Sequence, residues 1–348
     1  MVEEPKKQVE VTASGNLVQR DRTFDIMKGI GIILMMIGHI WKVKIPVMYH
    51  FIYSFHMPMF FIIAGYFTHT WNGWPQAKKD ICHYFRRLVV PLFIAQLLII
   101  LYEAVMVLNG KHETSGLIRT LVATVWIDTC TPTEPFGDIK MYNLWFLMAL
   151  FMAKTFYLFL SRLNKWTLPV SLVLSVLGIL YYKVFPYSVW CILAAFIVLP
   201  FVAFGQWLRT HKLPVWVWAV TVLCWIAALI WSDLDIAWMV FGCYPLDVVG
   251  AIGGSFCLYL LCRAISKYMK YTGRFLAYIG TISLIILCVH HVDLMTHMAN
   301  HIRAALGLPE LSMWWMYVYR YILTVIVAAV IASLPLFIKR LKASKVSN

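Results

Sequence analysis

Apolar residues run along this chain in blocks of about 20, broken by short polar stretches, a length that spans a bilayer core as a helix. The blocks are 24–42, 48–70, 87–108, 142–161, 167–185, 188–208, 214–231, 245–263, 274–296 and 314–338. The pattern predicts an all-α polytopic membrane protein of about ten transmembrane helices, which puts both termini on one side. Segment 117–127 is apolar but short, and is expected as an interfacial or re-entrant helix in the largest outer loop, 109–141. Residues 1–21 are polar and aperiodic and read as a disordered cytoplasmic tail. Residues 22–340 read as one transmembrane domain and 341–348 as a second cytoplasmic tail. No apolar block has the flanks of a cleaved signal peptide, so the first span is expected to stay in the protein.

Basic residues give the blocks a direction. One set of breaks holds Lys6, Lys7, Arg20 and Arg22, then Lys78, Lys79, Arg86 and Arg87, then Arg162 and Lys165. It continues with Arg209 and Lys212, then Arg263, Lys267, Lys270 and Arg274, then Lys339, Arg340, Lys342 and Lys345. The opposite breaks are poorer, so the first set is assigned to the cytoplasm. The chain is 61% hydrophobic and only 13% charged, which excludes a soluble enzyme with a single anchor. The net charge of +14 follows from the basic cytoplasmic loops, and no basic soluble domain exists to hold nucleic acid. The eight cysteines are scattered. Cys130 and Cys243 fall in or near outer loops, where the sequence leaves a disulfide open.

Ionisable groups inside apolar blocks are expensive and mark function. In the first block Lys28 and His39 share one stripe, about 20° apart around the helix and about 16 Å apart along it. Lys28, Arg86 and Arg87 mark the inner side. His39, His56, Glu103, Asn143, Trp145, Asp247, His290 and His291 fall toward the outer side. The layering suggests a site reached from both faces: an anionic group held by Lys28, Arg86 and Arg87, and base chemistry near His39. Plainer readings stand beside these. Asp25 is placed to pair with Lys28, Arg86 and Arg87 suit interfacial anchors, and Glu103 orients His39 or pairs with a loop cation. Asp293, His297 and His301 have a spacing that can hold zinc, but the helix is expected to end there and no metal is expected. Gly242, Pro245, Gly250, Gly253 and Gly254 mark the eighth block as broken or tightly packed.

Several of these residues together resemble the membrane acyltransferase 3 family, in particular its integral-membrane sugar O-acetyltransferases related to fucose 4-O-acetylases. The resemblance rests on Asp25-x2-Lys28-Gly-x9-His39, on Phe55-His-Met-Pro-Met-Phe-Phe-x3-Gly65-Tyr66 and on Arg86-Arg87-Leu-x2-Pro91. Asn143-Leu-Trp-Phe-Leu147 and Gly280-Thr-Ile-Ser283-x6-His290 add weaker support. It implies transfer of an acyl group, usually acetyl from acetyl-CoA, to a hydroxyl of an extracytoplasmic or lipid-linked glycan, in a multi-pass bacterial inner-membrane protein. The family commonly carries Arg where this chain has Lys28, which keeps the charge and loses the bidentate fork. Many relatives add a soluble hydrolase-like domain. None is seen here, so catalysis is expected from the membrane domain.

On that reading Lys28, Arg86 and Arg87 bind the acyl-CoA. His39 acts as general base, His56 and Glu103 complete the catalytic group, and Tyr66, Asn143, Trp145, Asp247 and His290 contact the acceptor. A transporter or flippase for a lipid-linked glycan or small anionic solute is the rival, because intramembrane charges and a glycine-rich helix suit it as well.

Overall fold

The structure, a computed structural model, describes residues 9–11, 17–19, 22–44, 46–129, 144–186 and 188–346; the side chains of 9–11, 17–19, 40–45 and 336–346 are not described. It is an α-helical assembly. Val9–Val11 (β1) pairs antiparallel with Leu17–Gln19 (β2). Helix α1 spans Thr23–Lys44. The second apolar block is two helices, α2 (Pro46–Tyr53) and α3 (His56–Tyr66), broken at Phe55, where the backbone leaves helical geometry. Next come α4 (Gly73–Tyr84), a π-helical turn over Phe85–Val89, and α5 (Val90–Leu108). Helix α6 (Thr114–Trp126) is the short helix expected near 117–127.

Helix α7 (Trp145–Leu160) joins α8 (Thr167–Val184) through a 3-10 segment with a sharp kink at Asn164. Then follow α9 (Ile192–Trp207) and α10 (Val215–Trp231). A small hairpin pairs Leu234–Asp235 (β3) with Val240–Phe241 (β4). Helices α11 (Tyr244–Tyr268), α12 (Lys270–Thr281), α13 (Ser283–Thr296), α14 (Met298–Ala305) and α15 (Met313–Val346) complete the chain.

Every apolar block in the sequence falls on helix, but the segmentation differs. Among the described residues, five stretches are long and apolar enough to cross a membrane: Pro46–Tyr66, Gly73–Leu108, Trp145–Val184, Tyr244–Tyr268 and Met313–Pro335. A sixth is the pair Lys270–Thr281 and Ser283–Thr296, bent by 65°. Helices α9 and α10 are apolar but shorter. The block that begins at residue 87 is part of a longer helical run, because amphipathic α4 leads into it through the π turn.

Helix α9 is apolar all round and buried along its length, as an interior helix must be, and it packs against α3, α7 and α8. Glycines set the closest approaches. A Cβ on Gly29 would collide with the Leu276 carbonyl of α12, and one on Gly280 with the Asp25 carbonyl of α1. Gly65 and Gly205 do the same between α3 and α9, against Val202 and Ile62. Gly253 meets the Thr221 backbone, so the glycine-rich eighth block is one continuous helix pressed on α10. Because the obstacle is backbone, Gly65→Val should destabilise by about 1–3 kcal/mol or more. The check is the thermal-unfolding midpoint and the monodisperse fraction of the detergent-purified protein.

The C-terminal end of α6 is latched to the start of α9. Trp190 and Cys191 donate backbone N–H groups to the Trp126 and Ile127 carbonyls. Asp128 follows α6, and its carboxylate accepts N–H groups from Thr129 at 2.8 Å and Ser188 at 3.0 Å. Burial pushes its pKa from 3.8 up to about 7. A folded pKa above the unfolded one favours the folded latch while the carboxyl is neutral. That contribution is full below about pH 4 and lost as pH rises through about 7. Amide exchange at Thr129 and Ser188 should therefore speed up between pH 5 and pH 8 beyond its intrinsic dependence, and Asp128→Asn should remove the excess.

Candidate active site

Four histidines from three helices gather toward the C-terminal end of α1. His39 is half-buried there, with Nε2 3.1 Å from the Met35 sulfur one turn earlier. Its ring centroid is 5.5 Å from that of His290 on α13. His56 opens α3 and is fully buried. Its Nδ1 lies 2.8 Å from the Ile52 carbonyl oxygen, and a carbonyl only accepts, so Nδ1 carries the proton and Nε2 the lone pair. Among the described residues that Nε2 has no hydrogen-bond partner, and neither ring nitrogen of buried His290 or His291 has one. His56, His290 and His291 all lie within electrostatic reach of His39. Buried polar atoms are otherwise almost always hydrogen-bonded, so this concentration is a polar cluster whose free ring nitrogens suit proton exchange with a hydroxyl.

Helix α15 closes this end. Tyr321 donates its hydroxyl to the Met36 carbonyl, and its ring lies 5.8 Å from His290. Beside it, Arg320 reaches α13: Nε donates to Asp293 Oδ2 at 2.8 Å and Nη2 to the Asp293 carbonyl at 3.2 Å. The other Asp293 oxygen accepts the Ala299 N–H at 2.7 Å. Both groups of the pair are thus fixed one turn from His290. Neither Arg320 nor Tyr321 figures in the sequence reading. The available signal was an arginine inside the apolar block 314–338, the same signal that singles out Lys28.

The other end of α1 carries cations. Lys28 is paired with Asp25 at 2.6 Å, the plainer of its two readings. Arg86 and Arg87 sit exposed on the π turn. Arg87 lies within electrostatic reach of Lys154 on α7, whose Nζ is 4.0 Å from the Tyr84 ring centroid. Lys28 thus lies at the opposite end of α1 from His39, and Lys28 and Arg87 keep different neighbours.

The profile of a protein family described as acyltransferase domain matches residues 21–333. The chain belongs to the acyltransferase 3 family. Over 181 residues this acyltransferase is 28% identical to nodulation protein NolL of Sinorhizobium fredii strain NGR234, covering 48% of this chain and 44% of that protein. The chain spans less than half the length of that relative. No solved structure matches it. With its long apolar helices, the acyltransferase is a multi-pass integral membrane protein.

The remaining expected site residues of this acyltransferase scatter. Glu103 does not orient His39: it takes the alternative partner, His112, at 2.8 Å, because α5 carries it to the loop before α6. Tyr66 stands at the wrong end to assist His39. It ends α3, and its ring packs 4.8 Å from Phe24, about 22 Å along α1 from His39. Asp247 is buried and accepts the Cys243 N–H at 3.0 Å, which caps α11. Trp145 is buried in the main apolar core at the start of α7. Asn143 and Cys130 lie outside the described residues. Cys243 is an exposed free thiol. The zinc-like spacing does not converge: Asp293 binds Arg320, while His301 Nε2 stands 3.3 Å from the Tyr102 hydroxyl.

Proposed function

We propose that this acyltransferase moves an acyl group, acetyl, from cytoplasmic acetyl-CoA to a hydroxyl of an extracytoplasmic or lipid-linked glycan. The observation that carries the reading is the concentration of unpartnered histidine nitrogens around His39 at one end of α1, with cationic residues at the other. His39 takes the proton of the acceptor hydroxyl as its oxygen attacks the thioester carbonyl. The carbon–sulfur bond breaks, the proton passes to the leaving thiolate, and an ester and free CoA result. In the tautomer that donates Nε2–H to Met35, the basic lone pair of His39 is on Nδ1. His56 and His290 flank the hydroxyl. Lys28, Arg86 and Arg87 hold the donor's phosphates, and Trp145, Asn143 and Asp247 keep their proposed acceptor-side contacts as weaker members.

About ten spans with cytoplasmic termini, in the bacterial inner membrane, would put the cations inside and the histidines outside. The about 16 Å between Lys28 and His39 matches the span a pantetheine arm must cover. The family match supports this enzyme over a transporter. A fucose-acetylase-like acceptor rests on the quoted sequence blocks alone.

Two measurements test the reading. Deleting the gene should remove ester signals from the NMR spectrum of surface glycans. The purified protein in vesicles should release free CoA thiol from acetyl-CoA when acceptor glycan is present. Retained esters together with no CoA release would overturn it in favour of transport.

A further inference from the structure

Lys154 is a cation that nothing above uses. It lies ten residues into α7, an apolar helix read as spanning the membrane, where an ammonium is costly without a counter-charge. Among the described residues it forms no ion pair. Its Nζ lies 4.0 Å from the centroid of the Tyr84 ring. The nearby carboxylate, Asp80, is partly engaged: its Oδ1 is shared by His69 Nδ1 at 3.0 Å and Gln76 Nε2 at 3.1 Å, while its buried Oδ2 has no hydrogen-bond partner among the described residues. The other charge that reaches Lys154 is a second cation, Arg87.

Two cations beside a single carboxylate leave an excess of positive charge, which an anion would offset. The local backbone supports such a function. Arg86 and Arg87 sit on the π turn, a helical irregularity that recurs at functional sites. The group also lies at the end of the assembly opposite the histidines, since His69 follows Tyr66 and Phe67, which pack on Phe24 at the start of α1.

We propose that Lys154 and Arg87 form a phosphate-binding site, with the Tyr84 ring as its floor, that takes a phosphate group of the acyl donor. This rests on the donor reading above and changes its residues. Lys28 is held by Asp25 at 2.6 Å, so Lys154 becomes the principal ammonium partner of Arg87. Lys is suited to the role as a point charge on a flexible stem, while Arg supplies the planar fork.

The test is equilibrium binding of CoA and, separately, of phosphatidylglycerol in nanodiscs to the full-length protein, with turnover of S-acetylpantetheine, which keeps the thioester arm and lacks the phosphates. Lys154→Met should weaken CoA binding by about tenfold or more, the equivalent of one charge-assisted hydrogen bond. Lys154→Arg should bind CoA close to wild type, and Lys154→Met should raise the ratio of S-acetylpantetheine turnover to acetyl-CoA turnover. If Lys154→Met proves unstable, Arg87→Gln, on the exposed turn, should weaken CoA binding in the same way.

Equal CoA binding by wild type and folded Lys154→Met overturns the site and leaves the donor reading standing. No CoA binding by wild type overturns the donor reading itself. Loss of phosphatidylglycerol binding with CoA affinity unchanged overturns the assignment in favour of a lipid headgroup.

Discussion

His39→Ala should lower acyl transfer by about 10²–10⁴-fold, the range for removing a positioned general base. His39 is the half-buried member of the histidine group, while His56, His290 and His291 are fully enclosed. The group that meets an incoming hydroxyl must be reachable, and the enclosed ones can orient or polarise it. The loss should fall on kcat, with donor binding retained, because His39 stands at the opposite end of α1 from Lys28, Arg87 and Lys154. His290→Ala should cost less, since His290 would act through His39 across a 5.5 Å ring separation. The measurement is CoA release at equal protein abundance with CoA binding in parallel. Turnover within a factor of two of wild type would remove the base assignment.

The largest effect on stability is expected from Arg320→Leu. Asp293 has no solvent exposure, and Arg320 makes two hydrogen bonds to it, so removing the arginine strands a buried carboxylate. Breaking a buried pair on one side costs about 3–5 kcal/mol. Asp293→Asn combined with Arg320→Leu should recover much of that loss, because a neutral amide still has the Ala299 N–H as donor and no charge to desolvate. Thermal unfolding of the two single variants and the double variant closes the cycle. A loss in the double variant equal to the sum of the two single losses would show that the pair is not coupled.

The sequence carried the helices well and the site in part, for physical reasons. Length and hydropathy mark an apolar block however it packs, so each block lands on helix. Breaks within a block depend on a few dihedrals: Ile282 between α12 and α13 has the composition of a helical interior, yet its φ of −100° and ψ of 8° turn the chain by 65°. Amphipathic α4 was invisible as part of a long helical run, because its polar face lowers its hydropathy. In the site, position along each helix was legible and direction around it was not. His39, His56 and His290 come together at one end of α1. Glu103 instead meets His112, because of the side of α5 on which it stands. Tyr66 was misplaced because α3 is short and its end returns to the start of α1. Arg320 and Lys154 were as visible as Lys28, and only tertiary contacts separate the arginine, paired with Asp293, from the lysine, which has no ion pair among the described residues.

The glycine seams have a mechanical consequence. Where two helices touch backbone to backbone, neither can slide or roll without driving a carbonyl into its neighbour, so α1 with α12 and α3 with α9 behave as locked slabs. Among the described residues helix α15 has no such seam. Much of it faces outward, with Ile322, Ile326 and Val330 more than half exposed, and its polar ties near the histidines are the Arg320 and Tyr321 bonds. Any widening at this end is therefore directed into α15, held there by the Arg320 and Tyr321 bonds, while the helices bearing His39 and His56 keep their register.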